Sequence, residues 1–452
     1  MTHGSLHVRV PALARVEGEG ALHVEVRDDV VTDLRLEIYE PPRFFEALLR
    51  GRGFGEPIDI TARICGICPV AYQMSAAAAL EQIAGVTVDG ELHRLRRLLY
   101  AGEWIESHVL HIGFLHAPDF LGAASGMELA GRYPELVKDV LRLKKVGNDI
   151  IDAVGGRPIH PVNVRLGGFH RAPDREVIAG LVEPLEWAHG AAVDLVRWVA
   201  GFDFPDLRVD HELVSLRGTD GYPVLGGRIV SDRGLDIDVA DFDREFGEEH
   251  VAHSTALHGR RRTGDTYLTG PLARWANNRD LVPSEVDALA TELGVGAIER
   301  NPFRSIVIRA LEVLIATVEA QEVVAGYVEP ATSSIDVIPT AGVGWGVSEA
   351  PRGILVHRYE TDETGTILDA RIVPPTSQNQ AAIEADVRRV VEDHLEIHGG
   401  DADPVVAEQA DRELRHRCET AVRNHDPCIS CATHFLTVDV RHLPRRDSEG
   451  GV

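Results

Sequence analysis

Residues 63–69 read Arg63-Ile64-Cys65-Gly66-Ile67-Cys68-Pro69, and residues 426–434 read Asp426-Pro427-Cys428-Ile429-Ser430-Cys431-Ala432-Thr433-His434. Two C-x-x-C turns therefore stand near opposite ends of a 452-residue chain with five cysteines, the fifth being Cys418. Each turn can point two sulfurs at one ion, and two turns supply four soft ligands. Spacing alone leaves a structural zinc site and an iron-sulfur cluster both open. A zinc knuckle is usually local, however, and a chain of this length has core enough to do without a staple between its ends. Cysteines used this sparingly do not describe a disulfide scaffold either. The expectation is a fold whose two ends close on one thiolate-bound metal centre. Arg63 offers a cation to anionic sulfur, and Asp426 an acceptor that can organise nearby donors.

Outward from these turns, the 46 basic and 71 acidic side chains leave a formal charge of -25. That argues for solubility and against a general nucleic-acid surface. The opening residues, MTHGSLHVRVPALARVEGEG, lack the pattern of a secretory signal, and no apolar run approaches the length of a membrane span. A cytoplasmic protein without a membrane span is expected. Glycine and proline are scattered, with no linker and no fixed-period repeat. Residues 1–434 read as a single multi-lobed unit.

Strands are expected at Leu22-His23-Val24-Glu25-Val26 and over 31–39. A short helix is expected over 42–50, with Pro42 in its first turn and Gly51 after its end, and another over 69–83. Apolar spacings of three and four predict helices over 91–115, 136–153 and 174–199. The apolar stretch 303–324 adds another, and these last two read as central packing helices. Residues 155–170 are too rich in glycine and proline for a helix, and 204–272 mix short extended runs into a peripheral lobe. A hairpin over 354–373 turning at 362–365, then helices over 380–396 and 404–423, lead to the last cysteine pair. This is an α+β fold, mainly helical, with long central packed helices and peripheral β-rich segments.

With both cysteine motifs in this order, the chain resembles the large, catalytic subunits of nickel-iron hydrogenases. More narrowly, RICGICPVAYQMS at 63–75 resembles the cytoplasmic, bidirectional NAD(P)-linked branch, which includes the sulfhydrogenase alpha subunits. The resemblance implies that large-subunit fold and an enzyme of heterolytic H2 oxidation and proton reduction. It implies that Cys65, Cys68, Cys428 and Cys431 bind nickel, with Cys68 and Cys431 also bridging to an iron that carries carbon monoxide and cyanide. Glu17, in Arg15-Val16-Glu17-Gly18-Glu19-Gly20, matches the glutamate that passes protons between the Cys428 thiolate and the interior; Glu19 stands where the family has histidine. Arg352, in Ala350-Pro351-Arg352-Gly353, matches the arginine above the open metal position, with Pro351 restricting the backbone before it. Pro375 and Thr376, in Pro375-Thr376-Ser377-Gln378-Asn379, match the patch that cups the iron ligands, with Thr376 as a donor to cyanide. Glu46 and His434 match the ligands of a magnesium or similar ion, although Phe44-Phe45 replaces the usual arginine-glycine. Gln378 and Tyr72 stand where tryptophan and histidine are common.

Without those motifs Glu17 would be a turn acid, Glu46 a polar helix position and Arg352 a surface turn arginine. Cys418 reads as a buried small apolar residue, and His108, His111 and His116 as helix-packing or surface residues. The resemblance also implies that residues 435–452, FLTVDVRHLPRRDSEGGV, form a precursor extension. A maturation endopeptidase would remove it after His434, once nickel-insertion factors have loaded the site. Five cysteines cannot also carry a chain of clusters, and no glycine-rich dinucleotide fingerprint follows a strand. Iron-sulfur clusters are therefore expected on a small partner subunit, and flavin and NAD(P) on diaphorase-type partners. Two other readings stay open: a noncatalytic redox-complex subunit of the same fold, against which the four retained cysteines argue, and a zinc-stabilised interaction protein.

Overall fold

Alternating aliphatic residues near the N-terminus build an antiparallel meander of β1 (Ser5–Val10), β2 (Gly20–Arg27) and β3 (Val30–Ile38). The computed structural model describes residues 5–28, 30–219, 221–398 and 404–433. One face of the meander, with Leu22, Val24 and Leu36 fully buried, packs on Val387, Val390 and Val391 late in the chain. The two ends of the sequence thus share a core.

The helix expected over 42–50 is a single turn, α1 (Phe45–Leu49). Phe44 sits before it in the left-handed region at φ 53°, so Pro42 lies outside the helix and Arg43 is free to reach elsewhere. After α2 (Glu56–Thr61), α3 (Pro69–Ala84) starts with proline at its first position, where no backbone N–H is needed, and stops at Gly85. α4 (Gly90–Leu110) runs into a wider π-turn, His111–His116, and α5 (Pro134–Gly155) packs along it. The segment 174–199 is broken into a short turn, Arg175–Ala179, and α6 (Val182–Ala200). Pro184 explains the break: its ring clashes with a helical carbonyl at Gly180. α6 buries only a stripe, from Leu185 through Ala188, Ala192 and Val196 to Val199.

The central helix is α7 (Ser305–Ala325). Ile306, Val307, Ile308, Leu311 and Val313 are all buried, so it is enclosed on every side, with Arg309 and Glu312 buried among them. It packs against both α4 and α6.

Residues 204–272 fold into a four-stranded sheet containing β4 (Glu212–Arg217) and β5 (Arg228–Ser231), next to an antiparallel pair, β6 (Phe246–Glu249) and β7 (His258–Arg261). A second meander follows: β8 (Gly342–Ala350), β9 (Gly353–Thr361) and β10 (Ile367–Val373). The predicted hairpin is its β9–β10 half, closed where the Gly365 amide donates to the Asp362 carbonyl at 2.9 Å. The two regions share one core, with Leu216 and Ile229 packed among Val347, Ile354 and Val356. The expected lobe is therefore joined to this meander by common apolar packing.

α8 (Pro375–His398) begins at Pro375, before the expected residue 380, and α9 (Pro404–Arg423) leads to the last short turn, α10 (Ile429–Ala432). Among the described residues no helix is long and apolar enough to cross a membrane.

Candidate metal centre

Cys68 caps the start of α3, and its amide donates to Cys65 Sγ at 3.1 Å, with the Ile67 amide 3.4 Å from the same sulfur. Cys428 likewise stands just before α10, whereas Cys431 lies inside it, with its amide donating to the Cys428 carbonyl at 3.2 Å. Backbone contacts bring this second turn to the N-terminus: the Ile429 amide donates to the Glu17 carbonyl at 2.9 Å. Gly18, at φ 91°, allows the approach, because a Cβ there would lie 2.7 Å from Ile429 Cβ and 2.8 Å from the Ser430 nitrogen. Arg43 ties the two cysteine turns together, donating at 2.8 Å to both the Ile64 and the Ser430 carbonyls.

The four sulfurs converge. Cys65 Sγ is 3.7 Å from Cys428 Sγ and 2.7 Å from Cys68 Sγ, and all four lie within 4.8 Å of one another. Every one of the four cysteines is buried and free of any disulfide. Burial raises thiol pKa values, and it lifts Cys68 and Cys428 well above the ordinary range and Cys431 to about 11. At Cys65 the same burial is outweighed by hydrogen bonds from the other three thiols and by the Arg352 charge, which hold it well below that range. Four close, buried, soft donors whose charges need a cation fit a thiolate-bound nickel and iron pair.

Glu17 Oε2 accepts from Cys428 Sγ and from the Ser430 amide, both at 3.1 Å. The residue is half-buried, so its carboxylate spans from sulfur towards the surface. Arg352, 2% exposed, donates from Nε to the Asp426 carbonyl at 2.7 Å, and its Nη2 lies 3.1 Å from both carboxylate oxygens of Asp426. Asp426 holds φ 50°, an uncommon conformation for a non-glycine residue, and burial raises its pKa against the pull of Arg352 and Arg309. The Pro351 carbonyl accepts from Arg274 at 2.9 Å, which fixes the turn carrying Arg352. Pro375 opens α8, and Thr376 Oγ1 accepts from the Cys428 amide at 3.0 Å, leaving its hydroxyl hydrogen for another acceptor.

Arg63 is exposed; the cation that acts on the sulfurs is Arg352. Glu46 is half-buried, accepts from the Ile372 amide at 2.7 Å, and is pushed up to about 8 by burial. The expected partner of Glu46, His434, lies outside the described residues, as do residues 435–452. Cys418 is buried among Leu414, Val422 and Val390, which pushes its thiol up to about 12.

Sequence reasoning missed a polar layer under the centre. Glu103, fully buried on α4, accepts from the Val70 and Ala71 amides at 2.6 and 3.1 Å, anchoring the helix start that carries Cys68. Arg274 forms a two-point pair with Glu312 at 2.7 Å and reaches Glu349 at 2.9 Å, while His108 lies 3.1 Å from Glu312. His108, His111 and His116 are all buried, none at the surface, and the latter two bond to the Arg423 carbonyl and Asn424 Oδ1 at 2.9 Å. The available signal was position: Glu103 and His108 share a helix face with Tyr100 and Trp104, so charge falls on the apolar side. Tyr72 packs its ring 5.7 Å from that of His357, with its hydroxyl buried.

A family model described as nickel-dependent hydrogenase matches residues 43–175. The chain is similar to sulfhydrogenase 1 subunit alpha of Pyrococcus furiosus, with 32% identity over 438 residues, 95% of this chain and 98% of that protein. It is similar to NAD-reducing hydrogenase HoxS subunit beta of Cupriavidus necator, with 28% identity over 485 residues and 94% of each chain covered. Among solved structures, it is similar to an NAD+-reducing NiFe-hydrogenase in the H2-reduced state, with a TM-score of 0.84, 26% identity, and 95% of this chain and 99% of that one covered.

Proposed function

Because the chain belongs to the nickel-dependent hydrogenases, as a catalytic subunit, we propose how its residues divide the work of splitting and forming H2. Cys65, Cys68, Cys428 and Cys431 would hold the nickel, and Cys68 and Cys431 would also hold an iron with carbon monoxide and cyanide ligands. When bound, this pair supplies the Lewis-acid and redox chemistry that polarises H2 for heterolytic cleavage.

The protein's own part is to move a proton and fix charge. Cys428 Sγ holds the proton next to the metals, and Glu17 Oε2, at 3.1 Å, is within direct transfer distance. Arg352 is clamped by Asp426 from two sides, so its charge is aimed before reaction begins. Arg352 and the four cysteines are buried, which strengthens that charge. Thr376 orients the Cys428 amide and has a hydroxyl hydrogen left for a cyanide nitrogen. Glu46 and His434 would hold a magnesium or similar ion, a role suited to a carboxylate with waters.

Electrons leave through a small iron-sulfur subunit and reach NAD(P) on diaphorase-type flavin partners in the cytoplasm; the likeness to an NAD-reducing relative supports this assignment. Nickel-insertion factors load the site and a maturation endopeptidase then removes residues 435–452. The burial of the Cys428–Cys431 turn supports that order, since the sulfurs are reachable only before closure.

The observation that carries the reading is the four-sulfur convergence with Glu17 and Arg352 on it. The test is H2-dependent reduction of viologen and NAD+ by the assembled complex. Cys428→Ser should abolish both reactions and nickel retention, whereas wild-type rates in that variant would overturn the assignment.

A further inference from the structure

We propose that His253, His258 and Glu384 form a binding site for a divalent transition ion of the zinc type, separate from the cysteine centre. His253 comes from the loop after β6, His258 opens β7, and Glu384 projects from α8. One ligand atom from each lies within 4.8 Å of the other two. His253 Nε2 is 3.0 Å from Glu384 Oε1, and the two imidazole rings stand 5.6 Å apart, edge to face.

His258 is the telling member. It is 1% exposed, and among the described residues neither ring nitrogen has a hydrogen-bond partner. A buried imidazole left unsatisfied at both nitrogens is costly, and a metal ion is one way to satisfy it. Arg260, two residues further along β7, is paired with Glu249.

Two nitrogens and one carboxylate oxygen suit a borderline ion with room for water and disfavour magnesium or calcium. Side-chain exposures of 22% for His253 and 18% for Glu384 leave a way in. On binding, the ion takes the place of the hydrogen between His253 Nε2 and Glu384 Oε1, and that proton moves to Nδ1, the other tautomer of the ring. The Leu36 amide, donating to Glu384 Oε1 at 2.9 Å, holds the carboxylate from behind.

The ion would clasp α8 and the 250–258 loop against β3. From that loop Thr255 donates at 2.9 Å to the Glu40 carbonyl, and Glu40 Oε2 accepts from Ser430 Oγ at 2.9 Å, next to Cys431. The cysteine turn is held through these contacts, which involve none of the three ligands, so the ion is not needed for it.

The test uses the purified complex, dialysed against Zn2+ and then against metal-free buffer, with zinc, nickel and iron measured in the same sample. Wild type should retain an additional zinc equivalent per catalytic chain compared with His253→Ala and Glu384→Gln, while nickel, iron and H2 uptake stay unchanged. Both substituted residues are partly exposed, so folding does not depend on them as it does on buried His258. Equal zinc in wild type and both variants, or no retained zinc in wild type, would overturn the proposal.

Discussion

Glu17 and Arg352 are held in place before reaction, one on the Cys428 sulfur and the other on Asp426. Glu17→Gln keeps the shape and the Ser430 contact but cannot take a proton from Cys428. It should lower H2 uptake by about 10²–10⁴-fold, with nickel and iron content unchanged; loss of the metals would mark a structural role instead. Arg352→Lys cannot reproduce the bonds to the Asp426 carbonyl and carboxylate. A loss of about 10²–10³-fold in turnover is expected, on the scale of removing one preorganised donor, again with the metals retained. At this scale the sequence was readable where short motifs carry chemistry: the four cysteines, Glu17, Arg352 and Thr376 meet at one centre. It was unreadable where a role depends on distant backbone. Arg43 matters because two carbonyls from opposite ends of the chain fall within its reach, and nothing in its neighbours announces that. Arg63 lies inside the motif yet faces outward.

Among the elements, β8 shows why periodicity fails. Its sequence, GVGWGVSEA, has glycine where a buried side chain would mark the inward face. The glycines are there because the strand lies directly on α3: a Cβ at Gly346 would meet the Ser75 carbonyl oxygen at 2.0 Å, and one at Gly344 the Ala79 carbonyl oxygen at 2.1 Å. Gly346→Ala should therefore destabilise the fold by at least the ~1–3 kcal/mol typical of overpacking, read as a lower onset of thermal unfolding. An unchanged onset would mean that the strand does not press on α3. Breaks inside helical patterns were equally hidden, since the apolar spacing over 174–199 continues across Gly180 and Leu181 while the helix does not. The hairpin of β9 and β10 and the helices α3, α4 and α5 were legible because alternation or helical spacing coincides there with burial.

Across the whole molecule, the metal centre rests on buried charge. Burial raises the Glu312 pKa, but the Arg274 charge and hydrogen bonds from Arg274 and His108 outweigh it and bring the value from 4.5 to about 2. A depressed carboxyl pKa stabilises the fold fully above 4.5, and that contribution is lost as pH falls towards 2. Glu349 acts in the opposite sense: burial holds it at about 7, so its ionisation costs stability as pH rises from 4.5 to 7. Glu312→Gln leaves Arg274 under-compensated, and a loss of about 3–5 kcal/mol is expected near neutrality. In urea titrations the gap to wild type should narrow as pH drops below 4.5; a gap independent of pH would remove the ion pair from the account. The central claim is that both ends of the chain close on a nickel-iron pair held by Cys65, Cys68, Cys428 and Cys431. Metal analysis combined with infrared spectroscopy of the purified complex tests it most directly. Equimolar nickel and iron in the catalytic chain, with cyanide and carbonyl stretches that disappear in Cys428→Ser, is the predicted result, and zinc alone in the four-cysteine site would contradict it.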